Sequence, residues 1–305
     1  MPNWNGLAYL SDCLDSVRAQ TYEPIETIVV DDGSTDSSAD LVAASYPEMR
    51  LVRLERNRGF AHAANRGMTE AWGEIVALLN NDAAADSHWI EELVTTLRRH
   101  PDAGFAASKI LLRDPPDTLN SAGDVFRRSG VPDSRGVWEA DRGQYDEEVE
   151  VFGASGAAVA YRRSMLSDVG VFDERFFMYC EDVDLAFRAQ LAGYRCVYAP
   201  RAVVRHRLSA SGGGTLASYQ CGRNFVWLLA RDLPGAAWRR YWASIVATQL
   251  GLAIQALLHI REPAARARLR GQLAGLLGAP RFVAERRALD TSRRVSDSYL
   301  LSLLA

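Results

Sequence analysis

Two short apolar runs, 25–30 and 75–79, each end abruptly in polar and acidic side chains: Val29-Val30-Asp31-Asp32-Gly33-Ser34-Thr35-Asp36 and Leu78-Leu79-Asn80-Asn81-Asp82. Consecutive apolar residues, as at 28–30 and 75–79, instead of alternate ones mark a strand covered on both faces. Helical spacing surrounds these runs, beginning with Leu7, Leu10, Leu14 and Val17. The pattern predicts helix 37–44, strand 50–54, helix 61–71, strand 75–79 and helix 88–99. Strands alternating with helices imply an α/β fold with a doubly wound, mostly parallel sheet, whose ligands bind beyond the carboxyl ends of the strands. Both acidic clusters fall at such ends.

The rhythm breaks at 114–150, where Pro115-Pro116, several glycines and an acidic run predict a long loop. A flap over the site and a solvated surface excursion both fit it. Regular structure resumes at 149–152, followed by the small residues Gly153-Ala154-Ser155-Gly156-Ala157. Helices are expected at 163–169 and from Glu181-Asp182 to Gly193, and strands at 194–198 and 202–205. From Gly214 onward the pattern is purely helical. The division is therefore 1–213 as a catalytic α/β domain and 214–305 as a helical extension.

With 305 residues, 48% of them hydrophobic, the chain can bury one large core or two modest ones. Pro2-Asn3-Trp4-Asn5-Gly6 is polar and turn-forming where a signal peptide would be basic and then apolar, so a cytoplasmic location is expected. Cys13, Cys180, Cys196 and Cys221 show no metal spacing and read as reduced core or near-core thiols. From Arg223 onward thirteen arginines face five acids, a net +8, which leaves −11 for the preceding 222 residues of a chain whose total is −3. The acidic front argues against nucleic acid as a partner and for a site that uses a cation to hold an anionic ligand. The basic tail suits an anionic surface. Within it, 241–260 carries no charge, while Ser244, Thr248, Gly251, Gln255 and His259 share one stripe. An interfacial helix flanked by Arg239, Arg240 and Arg261 fits this segment, as does a helix packed on protein.

The stretch Phe176-Phe177-Met178-Tyr179-Cys180-Glu181-Asp182-Val183-Asp184-Leu185 sets two adjacent carboxylates at the lip of a helix, beneath aromatic residues that raise a carboxylate's proton affinity. Such a carboxylate is suited to act as a general base. Asp184 is placed to pair with Arg188 one turn on. Asp31 and Asp32, ending a strand before a tight turn, suit the hydrogen-bond donors of a base or ribose; the competing reading of the segment is a helix N-cap at Ser34, Thr35 or Asp36. His206, 24 positions beyond Asp182, lies in Arg205-His206-Arg207 ahead of Ser209-Ala210-Ser211-Gly212-Gly213-Gly214, neighbours suited to a diphosphate; a structural histidine is the competing reading. Gly153 and Gly156 permit a ligand to approach backbone, and Trp89, Phe176 and Phe177 suit either stacking on a ligand ring or core packing.

Taken together, from about Asn3 to Gly213, these motifs resemble the family 2 inverting glycosyltransferases with a GT-A fold, and among them the rhamnosyltransferase-like branch. The resemblance implies that Asp182 is the base, with Glu181 orienting the acceptor or tuning it. It implies that Asp32 binds the nucleobase beside Asp31, that the turn Pro2, Asn3 and Asn5 packs around the base, and that Asn81 lies near ribose or phosphate. Where the family has Asp-x-Asp this chain has Asn80-Asn81-Asp82, so Asp82, with His206, is the expected ligand of a divalent metal, Mg or Mn. The expected donor is a dTDP- or UDP-sugar, with dTDP-rhamnose leading. The expected acceptor is a glycan or lipid-linked glycan in cell-surface polysaccharide synthesis, used by an enzyme peripheral on the inner face of the membrane. Gln220-Cys221-Gly222-Arg223-Asn224 departs from the Gln-x-x-Arg-Trp of processive synthases, which argues against that class. A nucleotidyltransferase of similar fold would bring a basic glycine loop near the first strand, and a non-catalytic sugar-nucleotide binder would not need Glu181-Asp182. The resembled fold also places a buried central strand ahead of the turn at Pro2, so the natural chain is expected to start upstream with about five to ten further β-branched residues.

Overall fold

The computed structural model describes residues 1–207 and 213–305. In chain order the elements are β1 (Pro2–Asn3), α1 (Leu7–Arg18), β2 (Ile28–Asp31), α2 (Ser38–Ser45), β3 (Arg50–Arg53), α3 (Phe60–Glu70), β4 (Ile75–Leu79), β5 (Ala83–Ala85) and α4 (Trp89–Arg99). There follow β6 (Ala103–Leu112), β7 (Leu119–Ala122), β8 (Asp124–Phe126), β9 (Pro132–Ser134), β10 (Val149–Val151), β11 (Ala158–Arg162), α5 (Arg163–Val169), a 3-10 turn (Glu174–Phe176), α6 (Glu181–Leu191) and β12 (Arg195–His206). The extension comprises α7 (Gly214–Arg231), α8 (Gly235–Leu258), α9 (Pro263–Ser292) and α10 (Asp297–Ser302).

Strands β1, β2 and β3 form a parallel sheet, as the helical crossovers between them require. A second, mixed sheet has the order β10-β12-β6-β11-β4, with β5 on β12 and β7 on β6. Here only β6 and β12 pair in parallel, so the parallel arrangement read from the sequence holds where helices return the chain. After β6 the chain runs through β7 to β10, and β10 descends antiparallel beside β12 to the level of Phe105 before the chain returns through 152–157. Strand β11 then enters the sheet at the carboxyl end of β4, Ala158 opposite Leu79 and Arg162 opposite Ile75, and runs antiparallel to its neighbours. All ten residues of β6 are buried, which places this strand at the centre of the fold.

Two sequence expectations change. The two strands at 194–198 and 202–205 are one strand, β12, whose register against β6 shifts between Ala199 and Val203, around Pro200, which has no N–H to give. The stretch 114–150 is not a simple loop: β7, β8, β9 and the start of β10 lie in it. Lys109, the only lysine, is buried in β6 and clamps that excursion through Asp141 Oδ2 at 3.0 Å and Asp146 Oδ1 at 2.5 Å. The helices beyond 214 pack against the rest of the chain. Leu228, Leu229, Phe282 and Leu304 share one core with Phe126, Phe152, Phe176 and Phe187, and the chain end pairs with β8 through Ala305 N and Phe126 O at 3.0 Å.

Helices α7 and α9 approach almost backbone to backbone at Gly222, Gly271 and Gly275; a Cβ at Gly222 would lie 2.6 Å from the Arg268 carbonyl oxygen. Helix α8 buries only Ala237, Ile245 and Ala256. Its Trp242, Val246, Leu250, Ile254, Leu257 and Leu258 are exposed, as are Leu273, Leu276, Leu277 and Val283 on α9. Among the described residues α8 is the one helix long and apolar enough to cross a membrane.

Candidate active site

A cavity of about 370 Å³ opens where β4 and β12 end and β11 begins. Asn80, Asp82, Asp124, Gly156, Glu181, Asp182 and His206 line it, with Phe60, Cys221 and Phe225 from the surrounding helices. Its acidic edge is built by an unusual turn. Phe177, Tyr179 and Cys180 have φ of 65°, 66° and 72°, a left-handed conformation that is rare outside glycine and is maintained only where surrounding contacts over-determine it. The turn delivers Glu181 and Asp182 as the first residues of α6.

Asp182 is fixed through both oxygens: Oδ2 accepts from Gly156 N and Oδ1 from Val183 N, each at 2.8 Å. Burial pushes its proton affinity above the ordinary carboxylate range, and these two N–H groups oppose that shift. Glu181 is 4% exposed and its Oε2 is buried with no hydrogen-bond partner. Burial, and then the neighbouring Asp182 charge, raises its pKa well above the usual value, which favours its neutral form. Asp124 was not legible as a site residue. It accepts from Ser121 Oγ at 3.1 Å and Ser134 Oγ at 3.0 Å, and burial followed by the Asp182 charge pushes it up to about 7.

Asp82 and His206 meet because β5 pairs with the end of β12, His206 opposite Ala83. His206 Nε2 stands 3.2 Å from Asp82 Oδ1. Its other ring nitrogen, Nδ1, is 2.9 Å from Asn120 Oδ1. An amide oxygen accepts only, so Nδ1 donates in this contact and Nε2 is the ring nitrogen turned toward the carboxylate. A carboxylate oxygen and an imidazole nitrogen side by side fit a divalent cation. Among the described residues no group of three or more histidine, cysteine or acidic side chains is arranged to hold one alone. The Ser209-Ala210-Ser211-Gly212 part of the run expected to flank a diphosphate lies outside the described residues.

The six residues expected around a nucleotide form one cluster beside this cavity. Pro2 and Asn3 pair with Val30 and Asp31. Asn81 Nδ2 donates to Asn3 Oδ1 at 2.8 Å, and Asn3 Nδ2 donates to Ser38 Oγ at 2.9 Å. Asn5 Oδ1 accepts from Thr35 N at 2.8 Å. Asp31 accepts from Ser34 N, and Asp32 accepts from Arg58 N and Gly59 N, both at 2.9 Å. Both acids thus organise backbone turns, and the helix that follows has no side-chain cap at its N-terminal Ser37.

Other expectations are corrected. Trp89 is 2% exposed and its indole N–H is spent on Ser108 Oγ at 2.8 Å, so it is a core residue and not a sugar platform. Gly153 is a packing glycine, since a Cβ there would lie 2.9 Å from that of Ala186, while Gly156 does line the cavity. Phe176 is fully buried against Trp227 and Phe282. Phe177 packs on Gly59 and is not among the residues lining the cavity. Asp184 pairs with Arg188 at 2.8 Å, as expected, and also with Arg231. Cys13, Cys180 and Cys196 are buried thiols.

An α/β sheet with acids at its strand ends and a paired carboxylate at a helix lip is the frame of a glycosyltransferase. The profile of glycosyl transferase family 2 matches residues 1–170, and the chain belongs to that family. It is 30% identical over 287 residues, 86% of this chain and 92% of the relative, to an N-acetylglucosaminyl-diphospho-decaprenol L-rhamnosyltransferase of Mycobacterium tuberculosis. A glucosyl-dolichyl phosphate glucuronosyltransferase of Haloferax volcanii is 26% identical over 245 residues, 76% of this chain and 70% of that one. Among solved structures, a mannosyltransferase of Pyrobaculum calidifontis in complex with GDP-Man and Mn2+ superposes with a TM-score of 0.56 at 19% identity, covering 99% of this chain and 81% of that one. TarS residues 1–349 of S. aureus in complex with UDP-GlcNAc give 0.60 at 18% identity, covering 95% and 89%. These likenesses establish the GT-A fold.

Proposed function

We propose that this glycosyltransferase is inverting and metal-dependent, and that it moves rhamnose or a similar sugar from a nucleotide diphosphate donor to a hydroxyl of a lipid-linked glycan. The observation that carries the reading is Asp182, held on the cavity wall by Gly156 N and Val183 N beside Glu181, whose burial favours its neutral form. Its carboxylate takes the proton of the acceptor hydroxyl as that oxygen attacks the anomeric carbon from the face opposite the leaving group. Keeping Glu181 neutral leaves one negative charge on the adjacent pair, as close carboxyls require. Asp82 and His206 would hold the cation, which when bound offsets the charge of the departing diphosphate. Pro2, Asn3, Asn5, Asp31, Asp32 and Asn81 would surround the nucleoside. The rhamnosyl donor and lipid-linked acceptor are supported by the relative from Mycobacterium tuberculosis. Location at the inner membrane face is supported by the exposed apolar residues of α8 and α9 and the arginines at the ends of α8.

A donor screen tests this reading. dTDP-rhamnose and UDP-sugars are offered with a short-chain N-acetylglucosaminyl-diphospho-lipid, with and without Mn2+, and the product's anomeric configuration is read by NMR. Inverted product formed only with metal is expected, and Asp82→Ala and His206→Ala should each weaken binding of dTDP in Mn2+. Retained configuration, or turnover indifferent to chelation of the metal, contradicts it.

A further inference from the structure

Asn224 is fully buried in α7, one position past Arg223. Arg223 Nε donates to its side-chain oxygen at 2.9 Å, which turns the amide nitrogen toward the left-handed turn before α6. There Asn224 Nδ2 reaches three carbonyl oxygens: Phe176 at 3.1 Å, Met178 at 3.1 Å and Tyr179 at 2.6 Å. Arg223 Nη2 adds bonds to the carbonyls of Arg175 at 3.1 Å and Phe176 at 2.9 Å. The positive φ angles at Phe177, Tyr179 and Cys180 point these carbonyls to one side, away from any regular hydrogen-bonded ladder. A conformation so disfavoured needs an outside donor, and a primary amide with two N–H groups is well suited to supply it.

We propose that Asn224 is the positioning residue of the base-bearing turn: its amide fixes the carbonyls of residues 176, 178 and 179 and so sets where Glu181 and Asp182 stand against Gly156. The C-terminal helices thereby complete the active site. Asn224 touches no reacting atom and acts through the turn. The inference rests on Asp182 being the base.

The test uses the full chain, with wild type, N224D, N224Q and D182N compared for transfer from dTDP-rhamnose to the N-acetylglucosaminyl-diphospho-lipid and for dTDP binding in Mn2+. N224D keeps the volume and replaces the donor by an acceptor. Its kcat should fall about thirtyfold or more, the scale of loss for a misplaced reacting group, with dTDP affinity within about twofold. N224Q, which restores the amide, should recover most of that loss. Should N224D prove unfolded by circular dichroism, Asn224→Ser takes its place, with a smaller fall in kcat and the same unchanged dTDP affinity expected. The inference is overturned if the folded donor-less variant turns over like wild type while D182N is inactive, or if N224Q falls as far as N224D. Full activity in D182N would instead defeat the assignment of the base.

Discussion

At Asp182 two effects oppose each other. Burial favours the neutral acid and the two backbone N–H groups favour the carboxylate; burial wins, so the residue titrates above the ordinary range. A base must be ionised, and kcat should therefore fall as pH drops through this raised pKa. Glu181→Gln removes a group whose neutral form is favoured, so the acid limb should stay where it is; a limb displaced by more than about one pH unit would show that Glu181 carries charge in the working enzyme. Asp124 gives a stability test with the opposite dependence. Its folded value of about 7 lies above the ordinary 3.8, so between those values the unfolded chain has released a proton that the folded chain retains. Stability then declines as pH rises across that window and stays reduced above it. Asp124→Asn removes the penalty, and its stability relative to wild type should rise between pH 4 and pH 7 in denaturant titrations. A parallel pair of curves would place Asp124 in a more solvated setting than the structure does.

The helical extension depends on the absence of side chains at specific points. A methyl group at Gly271 would run into the Tyr219 carbonyl on the facing helix, and Gly222 and Gly275 are similarly close to backbone. Gly271→Ala should therefore cost about 1–3 kcal/mol, read as a lowered denaturant midpoint, although alanine is the better helix former. An unchanged or raised midpoint would mean that α7 and α9 separate without cost. Helix α8 is set against α9 by few buried residues and leaves Trp242, Leu250 and Ile254 in solvent. Vesicles containing phosphatidylglycerol should retain the enzyme in low salt and release it in high salt, and Leu250→Glu with Ile254→Glu should abolish retention. Retention that ignores salt, lipid charge and these substitutions would leave α8 without a membrane role.

Across the whole molecule, the legible parts are those whose signal is local. The alternation of α1, β2, α2, β3, α3, β4 and α4 reads directly because short runs rich in Val, Ile and Leu alternate with segments of helical period, whereas β5 and β6 do not read; Asp182 and His206 read as candidates because their motif neighbours are contiguous. The rest is assembled at long range. Strands β7 to β9 are three or four residues long and carry no periodicity of their own. Asp124 acquires its unusual environment from burial and then from the Asp182 charge, both of which exist only after β8 and α6 pack together. Asn120 and Asn224 are ordinary polar residues until His206 and the turn at 176–180 arrive beside them. Trp89 misleads for the same reason, since nothing nearby in sequence announces Ser108 as its partner.

The catalytic account stands most directly on the turnover of Asp182→Asn at saturating donor, measured beside its affinity for dTDP in Mn2+. The substitution keeps the shape and the contact with Gly156 N through its amide oxygen while removing the base. The account predicts a loss of kcat of about a hundredfold or more with nucleotide affinity nearly unchanged. A variant that keeps more than about a tenth of wild-type turnover, less than the smallest effect expected of a general base, would contradict it.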